Sequence, residues 1–359
     1  MKKIIFLSLL FFFNYSAFAQ SSDIWVSFPN KDTTLIGFKD KNNVIKIEPK
    51  FMGFTMAQKF ENIIAVYEEI NDKWKSYYLT KSGKIVGQDS LYIFDNGPDC
   101  ENEGFIRFKD YKTDKMGFFN QEGKIVIPAE YSDVTRITNG MFIGLKGAKK
   151  QIDGEHFFWT GGQEYLVDAT NKILIENFIN NNDLNFYSVE KSKQASKDPI
   201  RDSFRSVNGD YYSFINYEKE FKLWLKDLLS KEISTQSLIQ VSMDNFTYWK
   251  EPKGWITSPK NTFINDNFNL IKKKLEELKS PTCDYFVSGD NLNQFIYEGK
   301  EYERYFDNCH QSKSWIYPVK DVVISHKSKK DFYQDHFEFL RTENGYRLIN
   351  VYFKKEELK

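Results

Sequence analysis

Lys115-Met116-Gly117-Phe118-Phe119-Asn120-Gln121-Glu122-Gly123-Lys124-Ile125-Val126-Ile127-Pro128-Ala129-Glu130-Tyr131 is the stretch whose reading decides the architecture. The runs on either side of Glu122-Gly123 are rich in aromatic and β-branched residues, which suit a pleated surface, and glycine supplies the positive φ of a tight turn. Pro128 cannot donate to a strand ladder, so the second strand is expected to stop there. A further turn pair, Asn139-Gly140, leads into a third short strand from Met141 to Leu145. One unit is therefore expected to be a small antiparallel meander.

Three other stretches share this layout. Gly37-Phe38 precedes a turn at Asn42-Asn43, then Ile45, Ile47, Pro49 and Phe51, with Phe60 to Val66 beyond. Tyr77-Tyr78-Leu79 precedes Ser82-Gly83 and Lys84-Ile85-Val86, with Gly104 to Phe108 beyond. Tyr165-Leu166-Val167 precedes Thr170-Asn171 and Ile173-Leu174-Ile175. The turns at 43, 83, 123 and 171 are 40, 40 and 48 residues apart, a regular register followed by one insertion. This pattern resembles the WG (KWG) repeat family, in which Gly follows Trp, an aromatic strand meets a Gly turn, and the next strand ends in Ile-Pro followed by Tyr. The family's Trp is replaced by Met116 and Ile36, and the second copy has Gly87-Gln88 where Ile-Pro would fall. The resemblance implies a recognition or scaffold module and transfers no catalytic residue.

A three- or four-strand unit cannot bury its apolar face alone, so neighbouring units must pack together into a β-repeat array with exposed turns. Exposed aromatic residues would be its contact groups, because a ring offers large apolar area at little entropic cost. Tyr78, Phe119, Tyr131 and Trp159 are the candidates for that binding surface. His156, beside Phe157-Phe158-Trp159, reads as an ordinary strand or loop residue.

The N-terminus carries Lys2-Lys3, an apolar run from Ile4 to Phe13, and Ala17-Phe18-Ala19 with small residues at the signal-peptidase positions. Residues 1–19 are expected to be a signal peptide, giving a periplasmic or secreted protein. The run is too short to span a bilayer, and Gln20 stands where a lipoprotein needs cysteine. No other long apolar stretch follows, so no integral membrane segment is expected after cleavage.

Past the cut, 48 basic side chains face 50 acidic ones, which gives no positive field for nucleic acid. Aromatic residues make up 17% of the chain, a composition that favours strands and opposes disorder. The length predicts about two domains. Residues 20–180 form the WG-like domain, and 181–210 read as a linker. The linker rests on polar stretches at Asn180-Asn181-Asn182-Asp183 and from Lys191 to Pro199.

From 211 to 359 the apolar period lengthens from two to about 3.6 residues. Phe214, Phe221, Trp224, Leu225, Leu228 and Leu229 share one helical face. Ile264, Phe268, Ile271, Leu275 and Leu278 share another, with Lys272 to Lys274 and Glu276-Glu277 turned outward. Strands are expected at Asp284 to Val287, Asp321 to Ser325 and Gln334 to Leu340. A hairpin turn at Asn344-Gly345 then leads into Tyr346 to Phe353. The fold class is thus a β-repeat array followed by an α+β domain with an antiparallel sheet. The order of elements closing with Phe337 to Val351 resembles cystatin and NTF2-like folds.

Cys283 and Cys309 share the C-terminal part, and a disulfide between them is expected, with Cys100 left as a free thiol. The alternative reading is hydrolase activity in the C-terminal domain, built on Cys283, Cys309 and His310 with His326 or His336. No ligand spacing for zinc, Gly-rich phosphate loop, HExxH or GxSxG is present, so no metal, cofactor or catalytic residue is assigned. Asp32-Thr33-Thr34 and Asp89-Ser90-Leu91 resemble short O-glycosylation sites of exported proteins. Together these readings describe an extracytoplasmic binding or scaffold protein for a protein, peptide or glycan, and not an enzyme.

Overall fold

The turns of the four stretches share one hydrogen-bond pattern. Asn43, Gly83, Gly123 and Asn171 hold left-handed φ of 61°, 86°, 66° and 69°. In each turn the residue three before donates its N–H to the carbonyl one after: Asp40 to Val44, Thr80 to Lys84, Asn120 to Lys124 and Asp168 to Lys172, at 2.9–3.0 Å. Asp40, Asn120 and Asp168 each accept two backbone N–H groups through one side-chain oxygen, and the Thr80 hydroxyl accepts that of Lys84. Left-handed backbone together with a side-chain acceptor explains why Gly or Asn stands at one place and Asp, Asn or Thr at the other. The same backbone pattern recurs at Ser206–Asp210 around Gly209, and at Asp307–Gln311 around His310.

Six residues before the four turns stand Gly37, Tyr77, Gly117 and Tyr165. A Cβ on Gly37 would lie 2.5 Å from the Ile47 carbonyl oxygen, and one on Gly117 would lie 2.3 Å from that of Ile127. At these glycines the strand after the turn is long, Ile45–Met52 and Ile125–Tyr131, and the pairing register shifts beside each glycine. Pro128 therefore does not end its strand, because the bulge at Gly117 lets the backbone continue past a residue that cannot donate. Where tyrosine stands instead, the strand after the turn is short, Ile85–Val86 and Ile173–Glu176.

The computed structural model describes residues 23–94, 97–179, 183–327 and 331–359; the expected signal peptide, residues 1–19, and Asn180-Asn181-Asn182 lie outside them. Antiparallel sheets dominate the described chain. The first sheet has seven strands, and its two halves meet in a single residue pair, Phe51 with Glu68. Three-stranded and four-stranded sheets follow, centred on Lys115–Asn120 and on Met141–Lys146 with Gln163–Asp168.

Adjacent side chains of the inner strands serve different cores. Along Ile63-Ile64-Ala65-Val66, Ile64 and Val66 pack with Phe38, Phe51 and Phe60, whereas Ile63 and Ala65 pack with Ile106, Phe108 and Phe119. Phe118 joins Tyr131 and Phe142 in the next cluster, and Leu166 joins Phe186 and Phe214 in the one after. Both faces of these strands are thus covered, unlike the half-solvated antiparallel sheet of most small domains.

Residues 184–216, placed largely in the expected linker, form a three-stranded sheet of Leu184–Ser192, Arg201–Arg205 and Tyr211–Asn216. Its apolar side chains Leu184, Phe186, Tyr212 and Phe214 complete the last of these cores. The polar stretch from Lys191 to Pro199 is the exposed end and connection of that sheet.

The C-terminal region packs helices α1 (Tyr217–Ser230), α2 (Thr235–Gln240) and α3 (Lys260–Glu277) against one face of a meander: Tyr285–Asp290, Val319–Lys327, Phe332–Thr342 and Gly345–Phe353. Asn216 caps α1 by accepting the N–H groups of Glu218 and Lys219, so Phe214 belongs to the preceding strand and not to the helix. Lys274, expected outside, is buried, with its Nζ 2.6 Å from the fully buried Asp335 carboxylate. A hairpin of Asn245–Lys250 and Gly254–Pro259 was not expected from the sequence.

Candidate binding cleft

Cys100 is disulfide-bonded to Cys309, with Cα atoms 6.1 Å apart, and Cys283 is the free thiol. This corrects the expected Cys283–Cys309 pair. The Asp307–Gln311 turn, stabilised by the Asp307 carboxylate accepting the Cys309 and Gln311 N–H groups at 2.8 and 2.9 Å, carries Cys309 to the β-rich half. There the Asn308 carbonyl accepts the N–H groups of Gln58 and Lys59.

Beside this tether lies a cleft of about 960 Å³. One wall comes from the middle sheets, through Asp133, Val134, Thr135, Arg136, Ile143 and Leu145. The facing wall is the segment that follows strand Tyr285–Asp290, with Asn291, Asn293, Gln294 and Phe295, and then Gln311, Ser312, Ser314 and Trp315. Residues more than 150 apart in sequence therefore meet across it.

Two arginines frame the cleft, and the protein's own groups engage both. Arg107 donates from Nε and Nη2 to the two Asp99 oxygens at 3.0 and 2.5 Å, donates from Nη1 to the Val134 carbonyl, and lies 4.2 Å over the Tyr92 ring. Burial works against the Asp99 carboxylate, but the Arg107 charge and its hydrogen bonds outweigh it and hold Asp99 below the usual carboxylate range. Arg136 donates to Asp307 at 3.1 Å and to Gln311 at 2.8 Å, with its guanidinium 4.9 Å from the Trp315 ring. Asp133 differs from Asp99: burial pushes its carboxyl up, and hydrogen bonds from Val134 and Tyr92 with the more distant charges of Arg107 and Lys109 do not reverse this.

The aromatic residues expected at a contact surface lie elsewhere. Tyr78, Phe119 and Tyr131 are buried, because strands covered on both faces leave no exposed ring. The Tyr78 and Phe119 rings meet at a tilt within the core, 5.2 Å between centroids, and the Tyr78 hydroxyl donates to the Arg107 carbonyl at 2.6 Å. Tyr131 packs against Phe142, and its hydroxyl donates to Asn171. Trp159 is half-buried on a hairpin arm of Lys149–Asp153 and His156–Thr160, whose Ile152, Phe157 and Phe158 are exposed. The cleft aromatics Phe295 and Trp315 carried no sequence signal, since they sit in an irregular segment with no period.

The cysteine and histidine candidates do not converge. Cys309 is in the disulfide, and His310 lies against the Phe306 ring at 4.5 Å. Cys283 and His326 line a separate depression of about 340 Å³. His326 Nε2 is 2.8 Å from Asp335, and His336 Nδ1 is 2.8 Å from Asp321. Burial, with Glu277 and Asp284 adding to it, pushes the Cys283 thiol up, the reverse of what an activated nucleophile requires. Among the described residues, no helix is long and apolar enough to cross a membrane.

Residues 116–148 match the sequence model of the family described as WG containing repeat. The match covers the unit around Gly117 and Gly123 as far as Ala148. No curated protein matches the chain.

Proposed function

We propose that this chain is an extracytoplasmic binding protein whose ligand, a protein, peptide or glycan, sits in the cleft between the β-rich half and the segment after Asp290. In this reading a WG-like repeat array, continued by the sheet over residues 184–216, is followed by an α+β domain of the cystatin or NTF2-like kind. The signal-like residues 1–19 support export, and the helices packed on a four-stranded antiparallel meander support the second comparison. The observation that carries the proposal is the cleft: about 960 Å³, lined by amides and hydroxyls beside Trp315 and the exposed Phe295, and braced by a disulfide. Pockets of this size, with a few placed polar groups among apolar ones, are the usual binding sites of proteins. Burial, which pushes the Cys283 thiol up, counts against that cysteine as the nucleophile of the hydrolase alternative.

Native mass spectrometry of the protein purified from its source tests this reading. A bound mass present in the unaltered chain should be absent from the Phe295→Ala and Trp315→Ala variants and retained by Phe157→Ala on the hairpin arm. Retention by both cleft variants, or loss through Phe157→Ala alone, would overturn it.

A further inference from the structure

The charges of the cleft are distributed unevenly. Arg107 and Arg136, its cations, are committed to Asp99, Asp307, Gln311 and the Val134 carbonyl, and no lysine lines the cleft among the described residues. An anionic ligand would have to take these guanidinium groups from buried carboxylates, and breaking such pairs is costly. The carboxylates Asp133, Glu164 and Asp290 also line the cleft. Asp133 stands in strand Asp133–Val134 and is partly buried, with the Arg107 guanidinium bonded to the neighbouring Asp99 and not to it. Burial disfavours its ionised form, so a cation arriving at that carboxylate would relieve the penalty. Phe295, 81% exposed, offers apolar surface on the opposite wall.

We infer, on the footing of the binding reading above, that the cleft receives a basic peptide segment, with a lysine or arginine side chain on Asp133 and an apolar side chain against Phe295. A cleft at the top of the ordinary range for small-molecule sites has room for more than one residue. The amides of Asn291, Asn293 and Gln294 on the Phe295 wall suit the peptide groups between such side chains. The carboxylates draw the ligand in, so affinity falls as salt rises.

The test uses the full chain with its disulfide intact and four labelled probes in fluorescence anisotropy. The probes are a capped hexapeptide with two lysines between phenylalanines, its glutamate counterpart, its glutamine counterpart, and a neutral oligosaccharide. The lysine peptide should bind at least tenfold more tightly than the glutamine peptide, and the glutamate peptide should not bind. Asp133→Asn should weaken the lysine peptide at least tenfold, and Asp133→Glu should restore most of the loss, with Asp133→Asn melting no lower than the parent at pH 8 and Asp133→Glu still unfolding cooperatively. Equal binding of the lysine and glutamine peptides, or binding unchanged by Asp133→Asn, overturns the inference. If the oligosaccharide binds in a Phe295-dependent way, or the glutamine peptide does so as tightly as the lysine peptide, the basic class falls while the cleft reading stands. If no probe binds, the inference falls, and the native mass comparison decides the cleft reading independently.

Discussion

Cys100 and Cys309 are bonded across a sequence separation of 209 residues, so the segment that forms one wall of the cleft is covalently fixed to the β-rich half that provides the other. Both cysteines are buried in a core with Phe38, Phe51 and Tyr77. Thiol labelling of the denatured, unreduced protein should find one reactive cysteine, Cys283. Cys309→Ser should lower unfolding stability by about 3–5 kcal/mol, as expected for a cross-link closing so long a loop. Two or three labelled thiols would refute the pairing.

Gly117 leaves no room for a side chain. Its Cβ would meet backbone atoms of Ile127, Pro128 and Ala129 at 2.3–2.9 Å, so Gly117→Ala must displace the strand Ile125–Tyr131. Gly140→Ala meets nothing within 4 Å and costs only the strain of its φ of 66°, about 1–2 kcal/mol. Urea denaturation should show Gly117→Ala as the more damaging change, by at least about 1 kcal/mol. The reverse order would mean that the bulge is not what demands glycine there.

Arg107 and Asp99 are both buried. Arg107→Met leaves the Asp99 carboxylate only the longer ion pair with Arg136, 3.8 Å away, and should cost about 3–5 kcal/mol, whereas Arg107→Met with Asp99→Asn should recover much of it. Chemical denaturation of the two single variants and the double variant forms the cycle that measures this. Additive losses would exclude the pairing.

Glu338 faces Asp321 on one neighbouring strand and Asn350 on the other. Burial pushes its carboxyl up to about 7, the Asn350 hydrogen bond opposes this, and Asp321 and Asp290 add to it. Because the folded state holds the proton more tightly than the unfolded one, stability falls as pH rises from about 4.5 to 7 and levels off above. The contribution lost is roughly 2–3 kcal/mol. His336, raised first by its hydrogen bond to Asp321, acts in the same direction around and above pH 6.5. Thermal melts from pH 4.5 to 8 should show a shallower decline in Glu338→Gln than in the parent, with the variant ahead at pH 8. Identical slopes would remove Glu338 as the cause.

Turn chemistry made part of this fold legible in advance. Asn43, Gly83, Gly123 and Asn171 announce themselves because left-handed φ restricts the residue locally. Asn344-Gly345 did the same for the final hairpin. Packing between layers was not legible. In a strand covered on both sides, Tyr78 and Phe119 follow no polar alternation that would tell inside from outside. The strand Leu184–Ser192 ends in exposed Glu190, Lys191 and Ser192, and read as loop because only its first three residues are buried. The cleft needed distances between residues remote in sequence, and so did the Cys100–Cys309 bond, since proximity along the chain favoured the wrong partner for Cys309.

The inner strands each lend one side to the layer before and the other to the layer after. A chain built on that plan lengthens by duplication at modest cost, because a new slab needs complementarity with only one predecessor. It shortens badly, since deleting an internal slab forces two surfaces that never met to fit. Gene-level growth and loss in such chains should therefore be concentrated at the ends of the stack.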